Sequence, residues 1–360
     1  MKKIRIGFIG FGGIARGVHL PGYLACKEDA EITAVCDIDP AARLRAKEQL
    51  GLSDEQLFED YHDLLASGMV DAVDICTPNY LHCPIAEAAI KAGLPFSVEK
   101  PLGMNYAETK ALLSDAEEKG LPAFICFSWR YRLYTRYLKA LIDRGVVGKL
   151  YHIYIRCIKE SGLWEDRPLE WRFEKEKSGS GVLGDLGSHM IDITRFWGEE
   201  FAEVFADFGI LIPQRPKIGS SEMSLVTTDD WCNLVGRTQS GVNVTINLSR
   251  CATTIQDLIE FELFGENGRL KYTYRDGKQD IEICSGKTDW EAGGTHHLTP
   301  PANYDAIQSR SFLNLLQGKK DDYTAELIQG VECQKVLDAA LLSTQLKRTV
   351  KISEIEEGTK

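Results

Sequence analysis

This chain has 360 residues, 44% of them apolar and 26% charged, a composition typical of a globular protein long enough for two domains with separate cores. Its 42 basic residues against 53 acidic residues give a formal net charge of -11, which repels nucleic acids and anionic lipid surfaces at long range. Since no apolar run reaches membrane-spanning length either, the composition argues against nucleic-acid and membrane partners.

An isoleucine-rich strand, Ile4 to Ile9, runs into the turn GFGGIA and a helical stretch that reaches about Cys26. The turn has the G-x-G-x-x-A spacing of a dinucleotide-binding loop, in which one glycine permits the turn, the next lets pyrophosphate approach the backbone, and a small residue allows close helix packing. Pyrophosphate would bind at the helix N-terminus, where unpaired N–H groups favour an anion. The predicted cofactor-binding residues here are Gly10, Gly12, Gly13, Ile14 and Ala15.

The second strand, EITAVCD, ends at Asp37, where an acidic side chain can bond both ribose hydroxyls of adenosine. The next three residues include no arginine and add a second carboxylate, Asp39, which would repel a 2′-phosphate. We therefore predict NAD in preference to NADP, with Arg43 and Arg45 as the residues that weigh against this preference. The alternative role for Asp37 is a helix cap, because DIDP is typical of the start of a helix.

Strands and helices continue to alternate as far as residue 125. The predicted helices cover residues 41–50, 84–91 and 105–119, and the predicted strands cover residues 72–76, 96–98 and the segment AFICF. This alternation predicts a doubly wound parallel α/β sheet. We assign residues 1–125 to this first domain.

Two further strand ends carry polar residues at the sheet edge where ligands bind in such folds. The turn TPNYLH can approach the nicotinamide half of a dinucleotide, although a helix-capping turn uses the same residue types and is an equal alternative. The strand in PFSVEKP projects the ammonium group of Lys100 at its end, with a solvated surface turn as the alternative. The predicted cofactor-binding residues at these two strand ends are Thr77, Pro78, Asn79, His82 and Glu99.

The pattern changes after a linking helix at about residues 133–144, which Gly145 ends. Period-two alternation dominates in YHIYIRCI, FAEVFADFGIL, SLVTTDDWCNLVGR, VNVTINLS, DLIEFELFG and RLKYTY. Consecutive strands without intervening helices predict a large, mainly antiparallel sheet. We assign residues 126–360 to a substrate-binding and oligomerisation α+β domain, whose C-terminal helix, residues 324–346, is a candidate to pack back toward the first domain.

A glycine-rich segment, SGSGVLGDLGSHMIDITRFWG, interrupts these strands and leads into a helix predicted from Gly187 to Trp197. Asp185, His189 and Asp192 are spaced i, i+4 and i+7, so they share one helical face if the helix begins early enough. A histidine between apolar neighbours is more often structural, and Asp185 is equally suited to an N-cap.

Five segments, GFGGIA, AVCDID, ICTPNYLH, EKPLG and GVLGDLGSHMID, occur in this order over nearly the whole chain. On these segments the chain resembles the Gfo/Idh/MocA family of sugar and inositol oxidoreductases. The resemblance implies a Rossmann domain followed by a larger open antiparallel sheet, an active site between them, a cis Lys100–Pro101 bond, and a homodimer or homotetramer formed through the sheet domain. Ser180 and Tyr134 depart from a glycine and a proline that are frequent in the family, which makes transfer of a substrate from relatives unsafe.

The resemblance also assigns the catalytic residues. It gives proton transfer to His189, a task that suits a side chain with a pKa near neutrality, with Asp185 as its neighbour in D-x-G-x-H. Lys100 would hydrogen-bond the same substrate oxygen and stabilise its negative charge, while Glu99 bonds ribose or holds Lys100. The implied substrate-binding residues, for which covering apolar surface is the alternative, are Arg130, Tyr131, Trp171 and Arg172.

These residues predict an NAD(P)-dependent oxidoreductase that acts on a secondary alcohol or ketone of a sugar, inositol or related polyol. One alternative is a lyase or glycosidase that retains NAD and oxidises its substrate transiently, and another is a non-catalytic dinucleotide sensor. No metal site is predicted, because H-E-x-x-H is absent and the ten cysteines are dispersed. Several cysteines lie in apolar runs, which predicts buried free thiols in a reducing cytoplasm.

Overall fold

The computed structural model describes residues 2–253 and 256–358. These residues form two compact units. The first contains the residues up to Ser128 together with Ala306–Glu332, and the second contains Trp129–Asp305 together with the residues from Cys333 onward. Among the helices in the described ranges, none has both the length and the apolar character needed to cross a bilayer.

The first unit is built on a six-stranded sheet whose pairs are all parallel. Its strands are β1 Ile4–Ile9, β2 Ala30–Cys36, β3 Leu57–Phe58, β4 Ala72–Ile75, β5 Phe96–Val98 and β6 Ala123–Ile125. The spatial order is β3-β2-β1-β4-β5-β6, so the direction of winding reverses between β1 and β4. This is the doubly wound order in which ligands bind at the reversal point, and it confirms the predicted fold class.

The helices of this region follow the predicted pattern, apart from one short helix at Tyr61–Ala66 that was not predicted. They are α1 Leu20–Leu24, which continues a π-helical turn at Ala15–His19, α2 Pro40–Leu50, α3 Tyr61–Ala66, α4 His82–Lys91 and α5 Tyr106–Lys119. Local chemistry explains the bounds of α5, because the Asn105 side chain accepts from the Glu108 N–H at its start and Gly120 adopts a left-handed φ of 60° at its end.

The second unit contains a nine-stranded sheet in the order β16-β15-β14-β13-β7-β12-β11-β8-β17. Its strands and a separate β9-β10 pair are β7 Leu150–Lys159, β8 Phe201–Gly209, β9 Gln214–Pro216, β10 Met223–Leu225, β11 Trp231–Thr238, β12 Asn243–Ser249, β13 Asp257–Gly265, β14 Gly268–Arg275, β15 Lys278–Ser285, β16 His296–His297 and β17 Val350–Lys351. The β7-β12 pair is parallel and the other pairs are antiparallel. The predicted open, mainly antiparallel sheet is confirmed, although the predicted strand SLVTTDDWCNLVGR is divided between β10 and β11, and β9, β15, β16 and β17 were not predicted.

The remaining helices are α6 Leu133–Asp143, α7 Lys175–Ser178, α8 Ser188–Phe196, α9 Gly286–Glu291, α10 Gln308–Leu316, α11 Leu327–Leu346 and α12 Ile352–Glu356. The boundary between the two units falls within α11. In the first unit, α10 packs through Phe312 against Phe124 of β6 with ring centroids 5.7 Å apart. The Ile125 N–H donates to the Ala325 carbonyl at 2.9 Å, which ties this late segment to the edge of the parallel sheet.

The core of the second unit lies on one face of the nine-stranded sheet. Strand β7 alternates as predicted, and Ile155 on its buried face pairs with Phe261 of β13. The Trp197 ring meets Phe261 edge-on with centroids 5.3 Å apart, and the Trp129 ring does so at 6.0 Å. Through these aromatic contacts the C-terminal end of α8 packs on the sheet, and this packing helps to position the glycine-rich segment that precedes α8.

Candidate active site

The glycine loop after β1 has the backbone that close approach of a dinucleotide requires. Gly10 adopts a left-handed φ of 89°, and a Cβ on it would lie 2.8 Å from the Cys76 carbonyl oxygen, so the fold itself demands glycine here. A Cβ on Gly12 or Gly13 would meet nothing within 4 Å. Ala15 is fully buried. The predicted loop residues thus fit a bound pyrophosphate, with open space above Gly12 and Gly13.

Asp37 lies beside this loop and holds it. One carboxylate oxygen accepts the Phe11 N–H at 2.7 Å and the other accepts the Asp39 N–H at 2.9 Å. A carboxylate has further lone pairs, so these bonds leave Asp37 able to accept ribose hydroxyls. The Arg43 guanidinium donates to the Asp37 backbone oxygen at 2.6 Å and to Glu59 at 3.2 Å, and Arg45 pairs with Asp39 at 3.3 Å.

The loops that follow β4 and β5 are joined by His82. Its ring is buried, with Nδ1 2.7 Å from the Pro101 carbonyl oxygen and Nε2 2.9 Å from the Thr77 carbonyl oxygen. Burial lowers the pKa of His82, and the two carbonyl oxygens oppose that shift in part. Thr77 and Pro78 are half-buried and Asn79 is buried, all at the strand end where they were predicted.

The end of β5 carries Glu99 and Lys100 at this same edge. The Lys100–Pro101 peptide bond is cis, as the family resemblance implied. Glu99 is only 7% exposed, and one of its oxygens accepts the Lys100 backbone N–H at 3.2 Å. Of the two roles left open for Glu99, this hydrogen bond is of the kind that holds Lys100. Lys100 itself is half-buried.

A buried histidine that no sequence motif indicated, His19, also contacts Glu99. His19 Nδ1 lies 2.8 Å from Asp74 and Nε2 lies 2.8 Å from the second oxygen of Glu99. Burial alone would lower the pKa of His19, but the Asp74 carboxylate reverses this and raises it well above its ordinary value. One signal was available, since Asp74 stands in the middle of the apolar strand AVDIC and a buried carboxylate needs a partner.

The ligand atoms of His19, Asp74 and Cys126 lie within 4.8 Å of one another, a spacing that could accommodate a metal ion. Both ring nitrogens of His19, however, are at hydrogen-bond distance from carboxylates. A protonated imidazole has no lone pair for a metal, so the hydrogen-bonded ring by itself accounts for this cluster.

In the second unit, the glycine-rich segment forms a π-helical turn at Leu183–Gly187 that continues directly into α8. The helix therefore begins early enough to place Asp185 and His189 about one turn apart. Asp185 is half-buried, and His189 is 9% exposed with its ring centroid 6.4 Å from that of Trp129. The third predicted member of this face, Asp192, is fully interior.

Asp229 anchors the start of that turn and was also missed. Its two carboxylate oxygens accept the N–H groups of Gly181 at 2.5 Å and Leu183 at 2.8 Å, and its backbone oxygen accepts the Val182 N–H at 3.1 Å. Burial raises the pKa of Asp229, while the two donated N–H bonds act in the opposite direction. A carboxylate at the N-terminus of a helix also interacts favourably with the helix dipole.

The predicted substrate-binding residues fall into two pairs. Arg130 and Tyr131 are buried, and the Arg130 guanidinium forms a two-point ion pair with Asp192, with a shortest distance of 2.6 Å. Trp171 and Arg172 are half-buried, and the Arg172 guanidinium lies over the Trp171 ring, 4.3 Å from its centroid. Arg130 and Tyr131 therefore lie in the interior, whereas the side chains of Trp171 and Arg172 are partly exposed to solvent.

Comparisons with known proteins agree with this architecture. Residues 4–127 match the oxidoreductase family with an NAD-binding Rossmann fold, and residues 135–271 match the GFO/IDH/MocA C-terminal domain. Levoglucosan dehydrogenase from Pseudarthrobacter phenanthrenivorans is 26% identical over 84% of this chain and 82% of its own length, and myo-inositol 2-dehydrogenase from Thermotoga maritima is 29% identical over 74% of each. The crystal structure of an oxidoreductase domain protein from Kribbella flavida has a TM-score of 0.87 and 26% identity, and covers 98% of this chain and 100% of its own.

Proposed function

This chain belongs to the Gfo/Idh/MocA family of oxidoreductases, and we propose that it transfers hydride between NAD and a secondary alcohol or ketone of a sugar, inositol or related cyclic polyol. The observation that supports this most directly is the carboxyl edge of the parallel sheet. There β1, β4 and β5 are neighbours, and their ends present the glycine loop, the Thr77–Asn79 turn and Lys100. A dinucleotide loop beside a half-buried lysine suits a redox reaction at an alcohol carbon.

The proposed cofactor is NAD in preference to NADP. The Asp37 carboxylate lies beside the glycine loop with Asp39 next to it, and two adjacent negative charges disfavour a 2′-phosphate. The guanidinium of Arg43 is engaged by Glu59 and by a backbone oxygen, and that of Arg45 by Asp39. Both guanidinium groups therefore already have hydrogen-bond partners without a bound phosphate.

In the proposed reaction, bound nicotinamide supplies the hydride acceptor. His189 takes the hydroxyl proton as the carbonyl forms, and Asp185, about one turn earlier in the same helix, favours the charged imidazole. Lys100, in the first unit, is proposed to donate a hydrogen bond to a substrate oxygen and to stabilise its negative charge. Hydride leaves carbon and the proton leaves oxygen, so the alcohol loses two electrons and two hydrogens. Trp171 and Arg172, which are half-buried, are proposed to contact the substrate.

The proposal extends to the cell and the assembly. All ten cysteines are unpaired and eight of them are buried, which fits a reducing compartment such as the cytoplasm. We further propose that the first unit binds the cofactor, that the second carries the substrate-facing residues, and that the sheet of the second unit forms a homodimer or homotetramer.

The test is a turnover assay. Purified protein is mixed with NAD and a panel of inositols, aldoses, glucosides and anhydrosugars, and absorbance of reduced nicotinamide is followed. We expect turnover with at least one cyclic polyol, and its loss in Lys100→Ala with NAD affinity kept within a few-fold. Bound NAD without net reduction on any panel member would overturn the dehydrogenase proposal. Cleavage of a glycoside under those conditions would then identify the NAD-retaining alternative, and its absence would leave a sensor.

A further inference from the structure

We propose that His19 is a positioning residue for this reaction, whose imidazolium, held by Asp74, fixes the Glu99 carboxylate and through it the backbone that presents Lys100. The inference rests on the proposed function insofar as Lys100 is the group that acts on the substrate. It concerns residues that no motif brought into the site, namely His19 and Asp74.

The geometry is that of a clamp with three members from three segments of the chain. His19 is the last residue of the π-helical turn that follows the glycine loop, Asp74 lies within β4, and Glu99 follows β5 directly. The ring nitrogens of His19 are each 2.8 Å from one of the two carboxylates. The remaining Glu99 oxygen accepts the Lys100 backbone N–H at 3.2 Å. Three consecutive hydrogen bonds thus connect Asp74, His19, Glu99 and the backbone N–H of Lys100.

The hydrogen bonds define the charge of the ring. An ionised carboxylate only accepts, so with both partners ionised each nitrogen of His19 donates, which is the imidazolium form, and the raised pKa of His19 agrees with this. Among the residues that the structure describes, the other titratable groups that face the ring are the thiols of Cys76 and Cys126 and the phenol of Tyr23. Burial raises the pKa of Cys76 to about 12, which keeps that thiol protonated. One positive charge thus serves two buried carboxylates, and one of these carboxylates belongs to Glu99, the residue that precedes Lys100 in the chain.

This arrangement gives His19 a role beyond filling the interior. Without the imidazolium, Asp74 and Glu99 would be two buried carboxylates without their counter-charge, and the Glu99 side chain would move. This movement would release the oxygen that holds the Lys100 N–H. Because a catalytic group displaced by about 1 Å costs about 100-fold in rate, the loss should be seen in turnover rather than in cofactor affinity.

The test compares three variants of the full-length protein with NAD present. In His19→Gln a single amide nitrogen cannot replace both donors, so we expect kcat to fall about 100-fold with the KM for NAD within about threefold. In Asp74→Asn the amide can donate to Nδ1, leaving a neutral ring whose Nε2–H still donates to Glu99, so most of kcat should remain. His62→Gln is the matched control, because it makes the same substitution at an exposed histidine of the first unit.

A second measurement does not depend on turnover. Hydrogen exchange of the Lys100 backbone amide should accelerate in His19→Gln and stay unchanged in His62→Gln. A folded His19→Gln protein with kcat within twofold of wild type, or with unchanged Lys100 exchange, would overturn the proposal. If His19→Gln does not fold, nitrogen NMR of the wild-type histidines gives the answer: a His19 ring that is singly protonated at neutral pH overturns the clamp, and a doubly protonated ring supports it. Wild-type protein that turns over nothing on the panel would refute the proposed function alone, because the exchange measurement still tests the clamp.

Discussion

Asp229 and Gly181 are joined twice, once through the hydrogen bond from the Gly181 N–H to the Asp229 carboxylate at 2.5 Å and once through contact of their backbones. A Cβ on Gly181 would collide with the Asp229 carbonyl oxygen. The glycine-rich segment is thus pressed against the chain just before β11, and the helical turn that carries Asp185 starts from this contact. The backbones at Gly181 and Asp229 are so close that position 181 can carry only a hydrogen atom as its side chain.

Gly181→Ala should therefore destabilise the protein by about 3 kcal/mol, because the obstacle is backbone that cannot rotate away. Thermal or urea unfolding of the purified variant measures this cost. Gly17→Ala is the control, since a Cβ at that exposed position meets nothing within 4 Å. Equal stability of the two variants would show that the Asp229 backbone yields more easily than its packing indicates.

The buried ion pair of Arg130 and Asp192 should show strong coupling. Arg130→Leu leaves the Asp192 carboxylate without its counter-charge in the interior, so we expect a loss of about 3–5 kcal/mol in the free energy of unfolding. The double variant Arg130→Leu/Asp192→Leu removes both charges and should lose less than the two single variants combined. Additive losses, measured by urea unfolding, would contradict this account of the pair.

Replacement of Lys100 should separate chemistry from binding. Lys100→Ala is expected to lower kcat about 100- to 1,000-fold, the usual cost of removing one donor to a developing oxyanion. Steady-state kinetics gives kcat, and fluorescence titration with NADH gives cofactor affinity, which should change by no more than a few-fold. Lys91→Ala, which removes an exposed lysine of the same unit, is the control and should match wild type. Unchanged kcat in Lys100→Ala would remove this lysine from the mechanism.

Cofactor preference should depend on the charge of Asp37. Asp37→Asn keeps a carbonyl oxygen that can accept the Phe11 N–H but removes the negative charge that repels a 2′-phosphate. The ratio of kcat/KM for NAD to that for NADP should fall by about tenfold, which corresponds to about 1.4 kcal/mol. A ratio that is the same in wild type and variant would place cofactor discrimination elsewhere.

The charged state of His19 should appear in the pH dependence of stability. Its pKa is raised in the folded protein, so above about pH 6.5 the folded state holds a proton that the unfolded state releases. The contribution is therefore complete below pH 6.5 and is lost as the pH rises toward the folded pKa, by up to about 1.4 kcal/mol per pH unit.

Asp74→Asn provides the comparison for this measurement, because its histidine is expected to be neutral in both states. Urea unfolding between pH 6.5 and 9 should show wild type losing stability relative to Asp74→Asn. Parallel curves for the two proteins would mean that His19 carries no surplus proton.

Many features of this fold and of its candidate site are determined by short segments of the sequence. The glycine spacing from Gly10 to Ala15, the acidic end of the second strand at Asp37, and the strand that delivers Lys100 are each contained in a few residues. Helix α5 was predicted to within a residue because its cap and its terminating glycine are adjacent to it. The larger sheet followed from period-two alternation, which a strand with one buried face produces regardless of its neighbours.

Tertiary structure alone determined which charged groups meet. Glu99 contacts His19, which is 80 residues away in the sequence, and Arg130 contacts Asp192, which is 62 residues away. The Asp229 carboxylate likewise accepts the backbone N–H of Gly181, which is 48 residues away. The sequence determined the residue types, the helices and strands, and the edge of the parallel sheet at which the cofactor residues lie, because periodicity and turn chemistry act over a few residues. The partner of a buried charge depends instead on which strands and helices become neighbours in space, and no local pattern encodes that choice.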